Sequence, residues 1–223
     1  MAKAHFDPKI IPVDSLAGEE AVSPEQLTVE WLRTRFADPP DWMPELHIEQ
    51  YRGNRPNGPV PASVLMAIVD RPEGLSLLLT QRADHLSDHP GQISLPGGRA
   101  EESDTSSIET ALRETEEEIG LDRSRIEVLG TLPDYVTGSG YHITPVVGLV
   151  HPPFELAPDP REVAEIFEVP LAFLMDGTNH ERRTAELPHG TGRRTFYSMP
   201  YERFFIWGAT AGMLRNLFHF LRA

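Results

Sequence analysis

The residues best suited to chemistry lie close together, in Arg113-Glu114-Thr115-Glu116-Glu117-Glu118-Ile119-Gly120-Leu121. On a helix, Glu114, Glu117 and Glu118 are spaced i, i+3 and i+4 and so fall on one face. Like charges at that spacing repel by roughly 0.2–0.5 kcal/mol per pair when exposed. No lysine interrupts the run. Clustered carboxylates without a side-chain counter-ion are what a hard divalent cation such as Mg2+ or Mn2+ binds. The plainer reading of the run in isolation is a solvated acidic helix face.

What precedes the run favours chemistry. Gln92-Ile93-Ser94-Leu95-Pro96-Gly97-Gly98 reads as a short strand entering a tight turn. Asp104-Thr105-Ser106-Ser107 is a cluster of helix-capping residue types. From Thr105 onward, Ile108, Ala111, Leu112, Thr115 and Ile119 keep a helical rhythm, and Gly120 is placed for a left-handed cap. The spacing predicts a helix of about 15 residues behind a glycine loop. Ile108, Leu112 and Ile119 are expected on its inner face, with Glu114, Glu117 and Glu118 on the other.

The segment 98–121 resembles the Nudix box, G-x5-E-x7-R-E-U-x-E-E-x-G-U. Arg113, Glu114, Glu117, Glu118, Gly120 and Leu121 match its second half. The first half departs, with Asp104 where glutamate is usual and eight residues instead of seven before Arg113. That variant, with Leu78-Leu79-Thr80-Gln81-Arg82-Ala83 and His89-Pro90-Gly91-Gln92 ahead of it, resembles the coenzyme A pyrophosphatase branch. The likeness continues through the segments 140–147, 162–171 and 207–212. Two positions differ from that branch: Ser87 stands where arginine is usual, and Leu95 where phenylalanine is usual.

The resemblance implies a metal-dependent hydrolase of a phosphoanhydride, with Glu114, Glu117 and Glu118 as metal ligands and the Gly97 carbonyl as a further one. Arg113, four residues before Glu117, is placed to orient a ligand carboxylate. Glu162 and Glu165 lie in a segment that often supplies the general base in this family, with Glu117 as the alternative inside the box. A 3′-phosphate on the substrate calls for arginine or histidine nearby, so Arg82, His89, Gly98 and Arg99 are the candidate substrate-binding residues, with His85 a weaker one. The leading expectation is cleavage of coenzyme A or acyl-coenzyme A to 3′,5′-ADP and a 4′-phosphopantetheine. A second keeps the chemistry and changes the substrate to ADP-ribose, a dinucleotide or a nucleoside triphosphate. A third is a non-catalytic nucleotide sensor, for which the full carboxylate set has no use.

The elements that must position these groups are legible around them. Runs at 64–69 and 75–80 flank a turn and predict a hairpin. Further strands are expected at 126–132, 143–150, 165–169, 183–187 and 194–199, the last two a hairpin across His189-Gly190-Thr191-Gly192. A short helix at 171–175 and an amphipathic one at 207–221 complete the set. Strands with helices on both faces predict an α/β fold, a Nudix-type α/β/α sandwich with a mixed sheet. Residues 61–223 form the Nudix domain in this reading. Residues 1–60 are a proline-bearing extension with one helix, opened by the capping box Ser23-Pro24-Glu25-Gln26, in which Leu27, Trp31, Leu32 and Phe36 face the main domain or, in a homodimer, the partner subunit.

Composition narrows the function. The 223 residues include no cysteine, which removes disulfides and thiolate metal sites and leaves an oxygen-ligand site open. A formal charge of −14 argues against nucleic acid or an anionic membrane as partner, and a small-molecule diphosphate would need bound cations to screen it. No apolar stretch approaches the ~20 residues of a membrane span. The first residues lack the apolar core of a signal peptide, so a cytoplasmic location is expected.

Overall fold

The computed structural model describes residues 7–45, 58–186 and 192–223. Its centre is β2 (Val60–Arg71), whose residues Leu65, Met66, Ala67, Ile68 and Val69 are all inaccessible to solvent. A strand covered on both faces has to be apolar in both alternating sets. The predicted hairpin is present: β2 turns through Pro72 and Glu73 into β3 (Gly74–Arg82), in register Arg71↔Gly74 to Ile68↔Leu77. On its other side β2 runs parallel to β8 (Tyr141–Val150), from Val60↔Tyr141 to Val69↔Val150.

The remaining strands of this sheet pair antiparallel, so it is mixed. They are β4 (Ile93–Ser94) on β3, β5 (Gly97–Arg99) on β2, β6 (Ile126–Thr131) and β7 (Tyr135–Val136) on β8, and β9 (Val163–Pro170) on β3. Helix α2 (Ser107–Ile119) covers one face, where Ala111 and Ile119 meet Leu65, Ala67, Val69 and Val146. Helix α4 (Gly208–Arg222) covers the other, where Leu214, Leu217 and Phe218 join Val64, Met66, Ile68 and Val147 in the larger core. The odd and even residues of β2 thus feed two different cores, which makes the α/β/α sandwich.

A second sheet was not foreseen. Strands β10 (Glu181–Glu186) and β11 (Arg193–Tyr201) form the expected late hairpin, whose turn at 187–191 lies outside the described residues. They are flanked by β12 (Phe204–Trp207) and, from the N-terminal segment, β1 (Val13–Leu16). The short helix is α3 (Leu171–Leu174). The capping box at Ser23 and Gln26 forms, but it opens only a tight turn at Pro24–Gln26. Helix α1 begins later (Val29–Ala37), with Thr28 Oγ1 accepting the Trp31 N–H at 3.3 Å. It lies against β6, where Arg33 pairs with Glu127 at 2.7 Å. Among the described residues no helix is long and apolar enough to cross a membrane.

A buried cation ties the N-terminal segment to α4. The Arg215 side chain is 3% exposed and donates to Glu19 Oε1 at 2.9 Å and to Glu45 Oε2 at 2.7 Å. Its guanidinium also lies 4.2 Å from the centre of the Tyr197 ring and donates to His180 Nδ1 at 3.0 Å. Burial holds the His180 pKa down to about 4, so this imidazole is neutral and can accept that bond. Removing the cation strips Glu19 of its ion pair and leaves Glu45 with only Tyr197 and His219 as partners among the described residues. Arg215→Ala is expected to destabilise the chain by about 2–4 kcal/mol, below the fully buried range because both carboxylates keep some solvent contact; urea unfolding at neutral pH measures it.

Candidate active site

The site is built where a glycine corner meets the carboxylate-bearing helix α2. Ser106 caps α2, its Oγ accepting the Glu109 N–H at 3.2 Å, so the helix starts at Ser107, two residues later than its apolar rhythm implies. Gly120 ends it in the left-handed conformation, φ +67°, as expected. Opposite the helix, Gly97 pairs with Val64 and Gly98 with Ser63 across β5 and β2. Gly97 has φ +147°, and a side chain there would stand 2.5 Å from Val64 Cα. At Gly98 the constraint is space: an added Cβ would lie 2.5 Å from the carboxyl carbon of Glu114.

Glu118 departs from the expected face. It is 6% exposed and shares the buried side of α2 with Ala111, Thr115 and Ile119, whereas Leu112 is only half-buried. Its Oε2 accepts the Gly97 N–H at 3.0 Å. Burial is the main cause that raises its pKa to about 7; the Gly97 N–H opposes the rise, and the charges of Glu162 and Glu114 add to it. Glu114 is also raised, first by burial, with Glu117 and Glu162 contributing and Arg113 opposing. Glu117 is the exposed member, at 61%.

Arg113 does more than orient Glu117. Its Nε and Nη2 grip the two oxygens of Asp104 at 2.9 Å each, in a fork-to-fork pair. Nη2 also donates to the Arg99 carbonyl at 3.0 Å, and Nη1 bridges Glu114 at 3.0 Å and Glu117 at 2.9 Å. Asp104 is 4% exposed and lies well below the usual carboxylate range, chiefly because of the Arg113 hydrogen bonds. Sequence reasoning placed Asp104 in the motif but gave it no partner. The signal was available, because an acidic residue belongs at that position of the pattern.

The segment 157–162 brings one outside carboxylate to the cluster. Ala157 N–H bonds the Ile119 carbonyl at 2.8 Å and Asp159 N–H the Glu118 carbonyl at 2.9 Å, stitching this segment to the end of α2. Glu162 follows, close enough for its charge to act on both Glu114 and Glu118. Glu165 is placed elsewhere, paired with Arg203.

The candidate substrate residues divide. Arg82 lies near Glu118, and its buried Nε has no hydrogen-bond partner among the described residues. Arg99 is held by the Tyr141 hydroxyl at 2.7 Å. His89 is exposed on the loop at 83–92, with φ +56°, and His85 there contacts the Arg161 carbonyl at 3.1 Å. Ser87 is exposed on the same loop. Leu95 is 3% exposed and belongs to the larger core, so its identity is a matter of packing.

Among the described residues no three acidic or imidazole side chains stand in ligating geometry, since Arg113 takes up Glu114 and Glu117 while Glu118 turns to Gly97. The donor set nevertheless suits a hard cation. Burial and neighbouring carboxylates raise the pKa of both Glu114 and Glu118, only Glu114 is paired with a cation among the described residues, and both sit against a corner that has no side chains.

The model of the NUDIX domain matches residues 59–187, more than half of the chain. The chain belongs to the Nudix family. It is a Nudix pyrophosphohydrolase, of a family that uses divalent metals and acts on small diphosphate compounds. It is 43% identical over 157 residues to the uncharacterized Nudix hydrolase NudL of Escherichia coli O7:K1, covering 70% of this chain and 80% of that one. The NudL of Yersinia pestis is 44% identical over 163 residues, covering 70% and 77%. Among solved structures, the Nudix hydrolase RenU of M. smegmatis superposes with a TM-score of 0.44 at 27% identity, covering 51% of this chain and 72% of RenU.

The buried acid has a pH signature in the metal-free Nudix protein. The folded state binds the Glu118 proton more tightly than the unfolded one, whose reference value is 4.5. Its contribution to stability is therefore complete below pH 4.5 and is lost as the pH rises through about 7. Glu118→Gln, neutral throughout, is expected to be the more stable form at pH 8 by on the order of 1–3 kcal/mol, with the gap closing in acid. Thermal unfolding of both proteins in chelator across pH 4 to 8 reads this out.

Proposed function

We propose that this protein hydrolyses the phosphoanhydride of coenzyme A or acyl-coenzyme A, releasing 3′,5′-ADP and a 4′-phosphopantetheine. The observation that carries the chemistry is the pair of buried, crowded carboxylates, Glu114 and Glu118, at the glycine corner beside Glu162. The substrate choice is supported by the run Leu78-Leu79-Thr80-Gln81-Arg82-Ala83 and by His89-Pro90-Gly91-Gln92, which precede that corner in the chain and resemble the coenzyme A pyrophosphatase branch.

In this reading Glu114, Glu117, Glu118 and the Gly97 carbonyl hold Mg2+ or Mn2+. When bound, that cation neutralises phosphate charge and makes a water acidic enough to attack. Glu162 accepts the proton of the attacking water. The water oxygen bonds to one phosphorus, the bridging P–O bond breaks, and the bridging oxygen leaves with the other phosphate. Asp104 and Arg113 keep the ligand helix in place against the loop that follows β5. Arg82 offers its unpartnered guanidinium N–H to a phosphate oxygen, and Gly98 leaves room for the anhydride to approach. Arg99 contributes further positive charge, and His89 offers a ring nitrogen for hydrogen bonding from the exposed loop. Glu165, engaged by Arg203, is the less favourable base.

One observation favours a second substrate class. Ser87 supplies no charge on the exposed loop where the coenzyme A branch has arginine, which suits a diphosphate without a 3′-phosphate, such as ADP-ribose. A panel of coenzyme A, ADP-ribose, dinucleotides and nucleoside triphosphates with Mg2+ or Mn2+, analysed by chromatography, separates these readings. Fastest turnover of coenzyme A supports the first, and fastest turnover of ADP-ribose the second. Binding without turnover would point to a sensor.

Glu118→Gln is expected to lower turnover by about a hundredfold or more while the fold persists, more than loss of an outer partner would; near-wild-type rates at matched circular dichroism would remove Glu118 from the ligand set. Ser87→Arg is expected to lower KM for coenzyme A about tenfold, in line with one added charge-assisted hydrogen bond of about 1.5 kcal/mol. Unchanged kinetics would take that loop out of substrate recognition.

A further inference from the structure

Arg99 reaches from the carboxylate helix to the far face of the main sheet. Its carbonyl accepts Arg113 Nη2 at 3.0 Å, and Arg113 in turn holds Glu114 and Glu117. At Gly98, just before it, the side-chain direction points at the Glu114 carboxyl group on the α2 side. Alternation along β5 sends the Arg99 side chain the other way. Tyr141 stands on that far face. Val146 and Val150 of β8 belong to the core under α2, whereas Val147 and Leu149 belong to the core under α4, so the odd positions of this strand, Tyr141 among them, share the α4 side.

There a single hydroxyl fixes the guanidinium. Arg99 Nε and Nη2 both donate to Tyr141 Oη, at 3.2 and 2.7 Å. The guanidinium carbon lies 5.5 Å from the centre of the Tyr141 ring. Two donors on one acceptor set the plane of the fork, and they leave Nη1 without a hydrogen-bond partner among the described residues. Asp88, on the exposed loop at 83–92, is near enough for its charge to act on this guanidinium, yet the two form no ion pair. Ser87, next to Asp88, brings no charge to that loop, so Arg99 is a cation held beside it with a donor to spare. A long side chain fixed before its ligand arrives loses less rotamer freedom on binding it.

We propose that Tyr141 is a positioning residue, holding Arg99 to receive a phosphomonoester of the substrate that is distinct from the anhydride being cleaved. This rests on the coenzyme A reading, whose substrate carries such a phosphate on its ribose. The anhydride belongs on the α2 side of the glycine corner, with Glu114 and Glu118, and the Arg99 guanidinium is on the other side, one residue further along β5. It therefore meets a part of the substrate adjoining the scissile bond. A free guanidinium N–H with full charge suits a phosphate dianion.

The test is calorimetric titration of adenosine 3′,5′-bisphosphate and of adenosine 5′-monophosphate, with Mg2+, into the full chain, Tyr141→Phe, Arg99→Ala and the double variant. The unsubstituted chain is expected to bind the bisphosphate about tenfold more tightly than the monophosphate, the size of one charge-assisted hydrogen bond. Tyr141→Phe is expected to cut that preference by about threefold or more, Arg99→Ala to abolish it, and the double variant to match Arg99→Ala, since Tyr141 acts through Arg99. In steady-state kinetics Tyr141→Phe should lower kcat/KM for coenzyme A several-fold more than for dephospho-coenzyme A, chiefly through KM. A merely structural tyrosine would weaken both nucleotides and both substrates alike. That result, equal binding of the two nucleotides by the unsubstituted chain, a preference untouched by Tyr141→Phe, or losses that add in the double variant would overturn the proposal. Failure to hydrolyse coenzyme A with the bisphosphate preference intact would remove the coenzyme A reading and leave the phosphate contact standing.

Discussion

A carboxylate pressed against a glycine corner is the constraint on which the site depends. Glu118 can be buried only because the Gly97 N–H meets it and because neither Gly97 nor Gly98 brings a side chain into the space. Burial and the neighbouring charges of Glu114 and Glu162 hold its proton up to about neutrality. Such a cluster opposes folding in the metal-free state, since desolvated like charges are stabilised by nothing but their hydrogen bonds. A bound cation would reverse that balance, which is how crowding that costs stability can be turned into metal affinity.

The surrounding structure serves to hold that corner closed. The Arg113–Asp104 fork joins the middle of α2 to the loop after β5, and the bond from Arg113 to the Arg99 carbonyl fastens the end of β5 itself. At the other end of α2, the segment 157–162 bonds the last carbonyls of the helix and delivers Glu162. The helix is therefore pinned at its middle and at its C-terminal end by groups that also set the charge of the site. A rigid cluster of this kind suits phosphoryl transfer, where catalysis is mostly positioning and electrostatic stabilisation.

The opposite face of the sheet has a different role. Helix α4 and the second sheet lie largely beyond the residues matched by the family model, yet they bring Met199, Phe204, Ile206 and seven residues of α4 into the larger core. Arg215 of α4 gathers Glu19 and Glu45 from the N-terminal segment, and β1 adds an edge strand to the second sheet. The N-terminal residues are thus woven into the body that supports β2.

Much of the fold and site could be read locally. The hairpin of β2 and β3, the strand β8, the capped helix α2 with Gly120 at its end and the run of Glu114, Glu117 and Glu118 all follow from residue types at short spacing, because helices and hairpins are governed by neighbours in the chain. The second sheet was not legible, since β1 and β10 are more than 160 residues apart and their pairing leaves no local signature. Glu118 was misplaced because periodicity treats a carboxylate as outward-facing, whereas a backbone N–H from a distant strand made its burial tolerable. The same reason separates Glu162 from Glu165: three residues apart in sequence, they are told apart only by the bonds that stitch one to α2 and by the Arg203 that claims the other. Sequence alone therefore determined which residues carry the charge and which helix presents them. Tertiary structure decided which of those charges are desolvated, which are paired and which face one another, because burial and Coulomb interaction depend on distance through space and not along the chain.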